Sequence, residues 1–129
     1  MRRYFLILIF VTTSLFAEIN WADDYKSALK EAKNENKKVM IMFSDEACSE
    51  CKKMQDNVYS NKKFSEYVNS HFVSVNIDIE YDKREGYKVY STPTFYFLDS
   101  NGKRIGSAMV GGSDVETFLT KLQEIEQSK

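Results

Sequence analysis

The order of apolar and polar positions divides this chain into alternating elements. Trp21, Tyr25, Ala28, Leu29 and Ala32 recur at helical spacing. Asn20 stands ahead of them as a candidate cap, with Asp23 and Asp24 in the expected first turn. "NENKK" ends that helix. "VMIMF", Val39–Phe43, is an unbroken apolar run bounded by charge, the pattern of a central strand buried on both faces. "NKKFSEYVNSHF" predicts a second helix capped by Asn61, with Phe64, Tyr67 and Val68 on one face. In "FVSVNID", Val73, Val75 and Ile77 alternate with Ser74 and Asn76, as in a strand.

The second half continues the pattern. "YDKREGYKVY" is polar and weakly helical, and "TFYFL", Thr94–Leu98, is a strand with Phe95, Tyr96 and Phe97 on both its sides. Asn101-Gly102 signals a hairpin, so Arg104–Val110 is expected to pair back antiparallel. Gly111-Gly112 breaks that strand. Ser113 and Glu116 have capping-box spacing ahead of a stripe formed by Val115, Phe118, Leu119, Leu122 and Ile125. Strands joined by helices pair in parallel, and the hairpin adds an antiparallel edge. The expected class is α/β, a mixed central sheet with helices on both faces.

The first residues differ in kind. Arg2 and Arg3 precede a short apolar run, Tyr4–Val11, which fades into polar residues and closes on Ala17. That is the pattern of a secretory signal, and the apolar part is short for a membrane span. Residues 1–17 are therefore expected to be a signal peptide and 18–129 one domain. An uncleaved membrane anchor is the alternative, because Leu15 stands where a small residue is usual.

The whole chain has 129 residues and a net charge of −1. Without Arg2 and Arg3 the balance is 16 basic to 19 acidic residues, or −3. Nothing in that balance draws the protein to nucleic acid. The length suits one domain with one core, and a monomer is expected.

Export changes the reading of "CSEC". Cys48 and Cys51 are the only cysteines. In an oxidising compartment such a pair can rest as a disulfide. A ring this small removes little chain entropy, so it is a poor staple. Cys48 follows a buried strand and should open a helix, whose free N–H groups and dipole favour a thiolate. Cys51 falls on the same helical face, one turn deeper. An exposed attacking thiol with a sheltered resolving thiol is what thiol–disulfide exchange needs. Two thiolates also suit Cu(I), with Met40, Met42 or Met54 as soft neighbours, so a copper carrier stays open. Zinc would need more ligands than two cysteines and the single histidine, His71, supply. His71 itself reads as a surface or cap residue.

Together, "CSEC" after "VMIMF", "NID" at Asn76–Asp78, "STPT" around the only proline, Pro93, and "VGG" at Val110–Gly112 resemble the thioredoxin-like family. The likeness runs from about Trp21 to the C-terminus. The lengthened segment after the cysteines resembles its exported thiol:disulfide oxidoreductase group, which includes the C-terminal domain of the thiol:disulfide interchange protein. The resemblance implies a thioredoxin fold with catalytic Cys48 and Cys51. It implies a cis Pro93 beside them and Thr92 pairing its backbone with substrate. No cofactor is expected. The implied partners are disulfide-containing exported proteins in the periplasm and a membrane thiol electron donor.

The chain also departs from thioredoxin. Ala47 stands where thioredoxin has Trp, and Ser49-Glu50 replaces Gly-Pro. Met42 and Ser74 occupy the positions of its buried aspartate and lysine. Glu46 or Glu50 could serve as a water-linked proton acceptor instead. A carboxylate at Glu50 disfavours a nearby thiolate, which argues for a reducing or balanced couple.

Overall fold

The structure, a computed structural model, describes residues 17–128. The expected signal segment lies outside the described residues except for Ala17. Helix α1 (Tyr25–Glu35) leads to strand β1 (Lys38–Ser44). Helix α2 (Ser49–Met54) runs on into one wider π turn, Gln55–Tyr59. Helix α3 (Lys62–His71), strands β2 (Phe72–Asp78), β3 (Thr94–Leu98) and β4 (Met109–Val110), and helix α4 (Val115–Gln127) follow. Among the described residues no helix is long and apolar enough to cross a membrane.

The sheet order is β2-β1-β3-β4. β1 pairs with β2 in parallel, β1 with β3 antiparallel, and β3 with β4 antiparallel. The apolar run of β1 explains its central place: every residue from Val39 to Ser44 is buried. Alternation sends its side chains into two clusters. Val39, Ile41 and Phe43 join Val73, Val75, Ile77 and Leu98 beneath α1. Met40 and Met42 join Phe95 and Phe97 beneath residues of α2, α3 and α4. The fold is the expected mixed α/β sheet with helices on both faces.

Several boundaries differ from the expected ones. α1 is capped by Asp24, whose Oδ1 accepts the Ser27 N–H at 2.7 Å, not by Asn20. Trp21 is thereby released from the helix and makes a parallel bridge to Ser74. α4 is capped by Asp114, which takes both the N–H and the hydroxyl of Thr117, so Ser113 is not the cap. The segment after β2 is a chain of turns without a helix. Glu85 and Gly86 both have left-handed backbones there (φ 52° and 81°), which a helix cannot hold. The connection leaves β2 beside Ser44 and enters β3 beside Phe43, at the same end of the sheet, so β3 runs antiparallel to β1. The hairpin after Gly102 forms one bridge, Leu98 to Arg104, and then only the two residues of β4.

Candidate active site

β1 delivers the cysteine segment to one end of the sheet. The chain turns after Ser44, and the Cys48 N–H donates to the Asp45 carbonyl at 3.0 Å. Cys48 is then the N-cap of α2. Its Sγ accepts the Cys51 N–H at 3.0 Å. A sulfur at that position gains from a backbone donor and from the helix N-terminus, and both favour its anionic form. Cys48 is half-buried, whereas Cys51 is 8% exposed and belongs to the core. The two are joined as a disulfide.

The Thr92–Pro93 peptide is cis. The register of β1 and β3 sets Thr94 beside Phe43. Pro93 therefore enters β3 at the end of the sheet from which the cysteine segment leaves. Its carbonyl accepts the Gly111 N–H at 2.8 Å. Gly111 has φ 88°, which a residue with a Cβ adopts with difficulty. At the next glycine, Gly112, a Cβ would stand 2.9 Å from Glu50 Oε2, the tip of a half-exposed side chain that can swing aside. Glu50 also pairs with Lys53 Nζ at 3.0 Å, so its charge has a cationic neighbour on its own helix.

A cavity of about 320 Å³ opens beside the couple, and both cysteines line it. Its deeper wall includes Met42 and Tyr59. The Tyr59 hydroxyl donates to Met42 Sδ at 2.9 Å, and burial pushes its pKa well up. Trp21 meets Tyr59 edge to face, with ring centroids 5.6 Å apart. Asp45, Glu46 and Asp78 supply carboxylates to the lining. Glu50 is not among the lining residues; it faces the groove of Gly112 and Asp114. Thr92 and Pro93 do not line the cavity either. The sequence reading thus left out Trp21, Tyr59 and Asp78 as parts of the site. Trp21 was hidden by its apparent helical spacing. Tyr59 depends on the π turn, which brings both Val58 and Tyr59 into the core.

The position of thioredoxin's buried acid is filled by Met42, which is 2% exposed. Ser74, at the lysine position, is also buried, and its hydroxyl has no hydrogen-bond partner among the described residues. A thioether and a serine therefore stand where thioredoxin has its titrating pair.

Comparison with known proteins agrees with this geometry. The thioredoxin-like domain family matches residues 25–126. The chain belongs to the thioredoxin-like family. Thioredoxin-1 of Drosophila melanogaster is 28% identical over 108 residues, covering 82% of this chain and 96% of its own. Among solved structures, a thioredoxin from Thermus thermophilus is 27% identical, with a TM-score of 0.72 over 84% of this chain and 87% of the other. The C-terminal domain of Neisseria meningitidis DsbD in its oxidised form shares the fold. Its TM-score is 0.63 over 78% of this chain and 91% of the other, at 20% identity. With the paired cysteines in place, this thioredoxin-like protein is a thiol:disulfide oxidoreductase.

Proposed function

We propose that this thioredoxin-like protein is exported, and that it reduces or exchanges disulfides in periplasmic proteins. The observation that carries the reading is the asymmetry of the couple. Cys48 is half-buried at a helix start, and Cys51 is buried one turn on. In the reaction, the Cys48 thiolate attacks a substrate disulfide and one substrate thiolate leaves. Cys51, deprotonated, attacks the Cys48 sulfur of the mixed disulfide. The second substrate sulfur leaves as a thiol. Two electrons pass to the substrate, and the protein keeps the Cys48–Cys51 bond. Thr92 offers its backbone to an extended substrate segment, and Pro93 shapes the groove. A membrane thiol donor restores the dithiol. Export rests on the leader-like residues 1–17, with 18–129 as the mature domain.

Insulin reduction by the reduced protein tests this reading. Turnover that disappears in Cys48→Ser supports it; turnover that survives the substitution refutes it. Trapping with Cys51→Ala in the native cell then identifies substrates, and an export assay of residues 1–17 checks the leader. Equilibration with glutathione tests the direction, and a potential as oxidising as that of dedicated disulfide donors would sink the reductant reading. Glu50→Gln should move the couple to a more oxidising value, by a small amount because Lys53 already faces the carboxylate.

One observation favours a second reading, a Cu(I) carrier. Met42 lines the same cavity as the two cysteines, giving three soft sulfur side chains around one space. Tight one-to-one copper binding without insulin turnover would select that reading instead.

A further inference from the structure

We infer that the cavity beside the couple is a specificity subsite for a positively charged group next to the substrate disulfide. The inference rests on the exchange reading above and adds the substrate's chemistry to it. The reacting sulfurs form part of the cavity wall, so whatever flanks a bound disulfide meets this space directly. A volume of about 320 Å³ suits one short side group.

The lining defines the group. Trp21 is half-buried on the lining and offers its indole, while Tyr59 is buried behind it and meets it edge to face at 78°. Ring faces attract an ammonium or guanidinium and give nothing to a carboxylate. Asp45 and Asp78 stand on the same lining. Each is tethered by a backbone donor, Ala47 N–H to Asp45 at 3.0 Å and Glu80 N–H to Asp78 at 2.9 Å. Glu46 adds a third carboxylate, and Lys52 is the one basic residue among the lining. Three carboxylates against one ammonium leave the lining negative, with the Trp21 indole beside them. A cationic group gains from both features; an anionic group meets repulsion at the point of attack.

The test compares three small disulfides at low ionic strength: cystamine (two ammonium groups), bis(2-hydroxyethyl) disulfide (neutral) and dithiodiglycolate (two carboxylates). Each rate of oxidation of the reduced protein is divided by that of dithiothreitol with the same disulfide. This removes the disulfides' own reactivities. The normalised rates should fall in the order cationic, neutral, anionic. The cationic-to-neutral ratio should be about fivefold or more, the size of one near charge pair in a wet site. Asp45→Asn with Asp78→Asn should bring the ratio towards one. Glu31→Gln with Glu124→Gln removes equal charge away from the cavity and should leave the ratio unchanged. Trp21→Ala should lower the ratio, and Trp21→Phe should keep most of it. A flat order, or an equal drop in the remote pair, overturns the inference while exchange itself stands. No exchange with any of the three disulfides would overturn the exchange reading and this inference with it.

Discussion

The two faces of β1 are built from neighbouring residues of one strand and do different work. The face of Val39, Ile41 and Phe43 packs under α1, where Ala28 and Ala32 are fully buried. Alanines let that helix approach closely, and β-branched residues fill the pleat. Its polar groups are satisfied within the layer. The Tyr25 and Tyr87 hydroxyls meet at 3.0 Å, and Tyr96 donates to the Lys88 carbonyl at 2.6 Å. The face of Met40 and Met42 uses long thioethers and rings, covered by several helices. Where those helices do not close over Met42, the cavity reaches Cys51. One face makes the sheet rigid; the other leaves room for chemistry. A single strand can do both because its side chains alternate.

This contrast is easiest to break from the rigid side. Phe43 is fully buried against Tyr87 and Tyr96. Phe43→Ala should cost about 3–5 kcal/mol by urea unfolding, with insulin turnover per folded molecule little changed. A large drop in turnover per folded molecule would show that the α1 face shares in the chemistry. Ala32→Leu overfills the helix contact from the other direction and should cost about 1–3 kcal/mol.

On the site face a volume-conserving change is milder. Met42→Leu should cost less than about 1.5 kcal/mol, because shape is kept and only the acceptor for the Tyr59 hydroxyl is lost. Its effect should appear in the rate at which Cys51 resolves a trapped mixed disulfide. A stability loss as large as that of Phe43→Ala would show that the Met42 position depends on the sulfur contact rather than on shape.

The finest comparison is alkaline. Each face holds a tyrosine whose pKa is raised above the usual 10.0. Burial does this at Tyr59. At Tyr87 burial acts first and Tyr25 adds to it, with Arg104 opposing. In both cases the folded state holds its proton to higher pH than the unfolded chain. The stability is fully present below pH 10 and is lost as pH climbs towards the folded values. Tyr59→Phe and Tyr87→Phe should each flatten the fall of Tm above pH 10. An unchanged fall in both variants would place the alkaline limit elsewhere.

The elements that could be read from the sequence were those whose signal is local and strong. The run at Val39–Phe43, the alternation of Val73, Val75 and Ile77, and the Asn61 cap all depend on spacing alone. The Asn61 cap holds because its Oδ1 accepts the Phe64 N–H at 3.0 Å. Caps with rivals were misplaced. Asn20 and Asp24 compete for one helix, and Ser113 and Asp114 for another, with tertiary contacts deciding. Asn20 is occupied elsewhere, since its N–H goes to Asn69 Oδ1. The segment 79–93 misled because its polar periodicity is weak. Its shape depends on distant burial of Tyr87 and Val89. The cysteine pair was legible from its place after a buried strand. The cavity beside it was not, because Trp21, Tyr59 and Asp78 come from three separate stretches brought together only by folding.

Trp21 has a role outside the site as well. Its bridge to Ser74, with the Ala22 N–H donating to the Ser74 carbonyl at 2.7 Å, lies along the outer side of β2. The opposite margin of the sheet is β4, only two residues long. One margin is partly blocked at its middle, and the other is too short to template a further strand. The sheet thus offers little purchase to an unfolded chain seeking to extend it. A thiol:disulfide oxidoreductase built this way exchanges sulfurs at one end of a sheet whose margins give little invitation to strand addition.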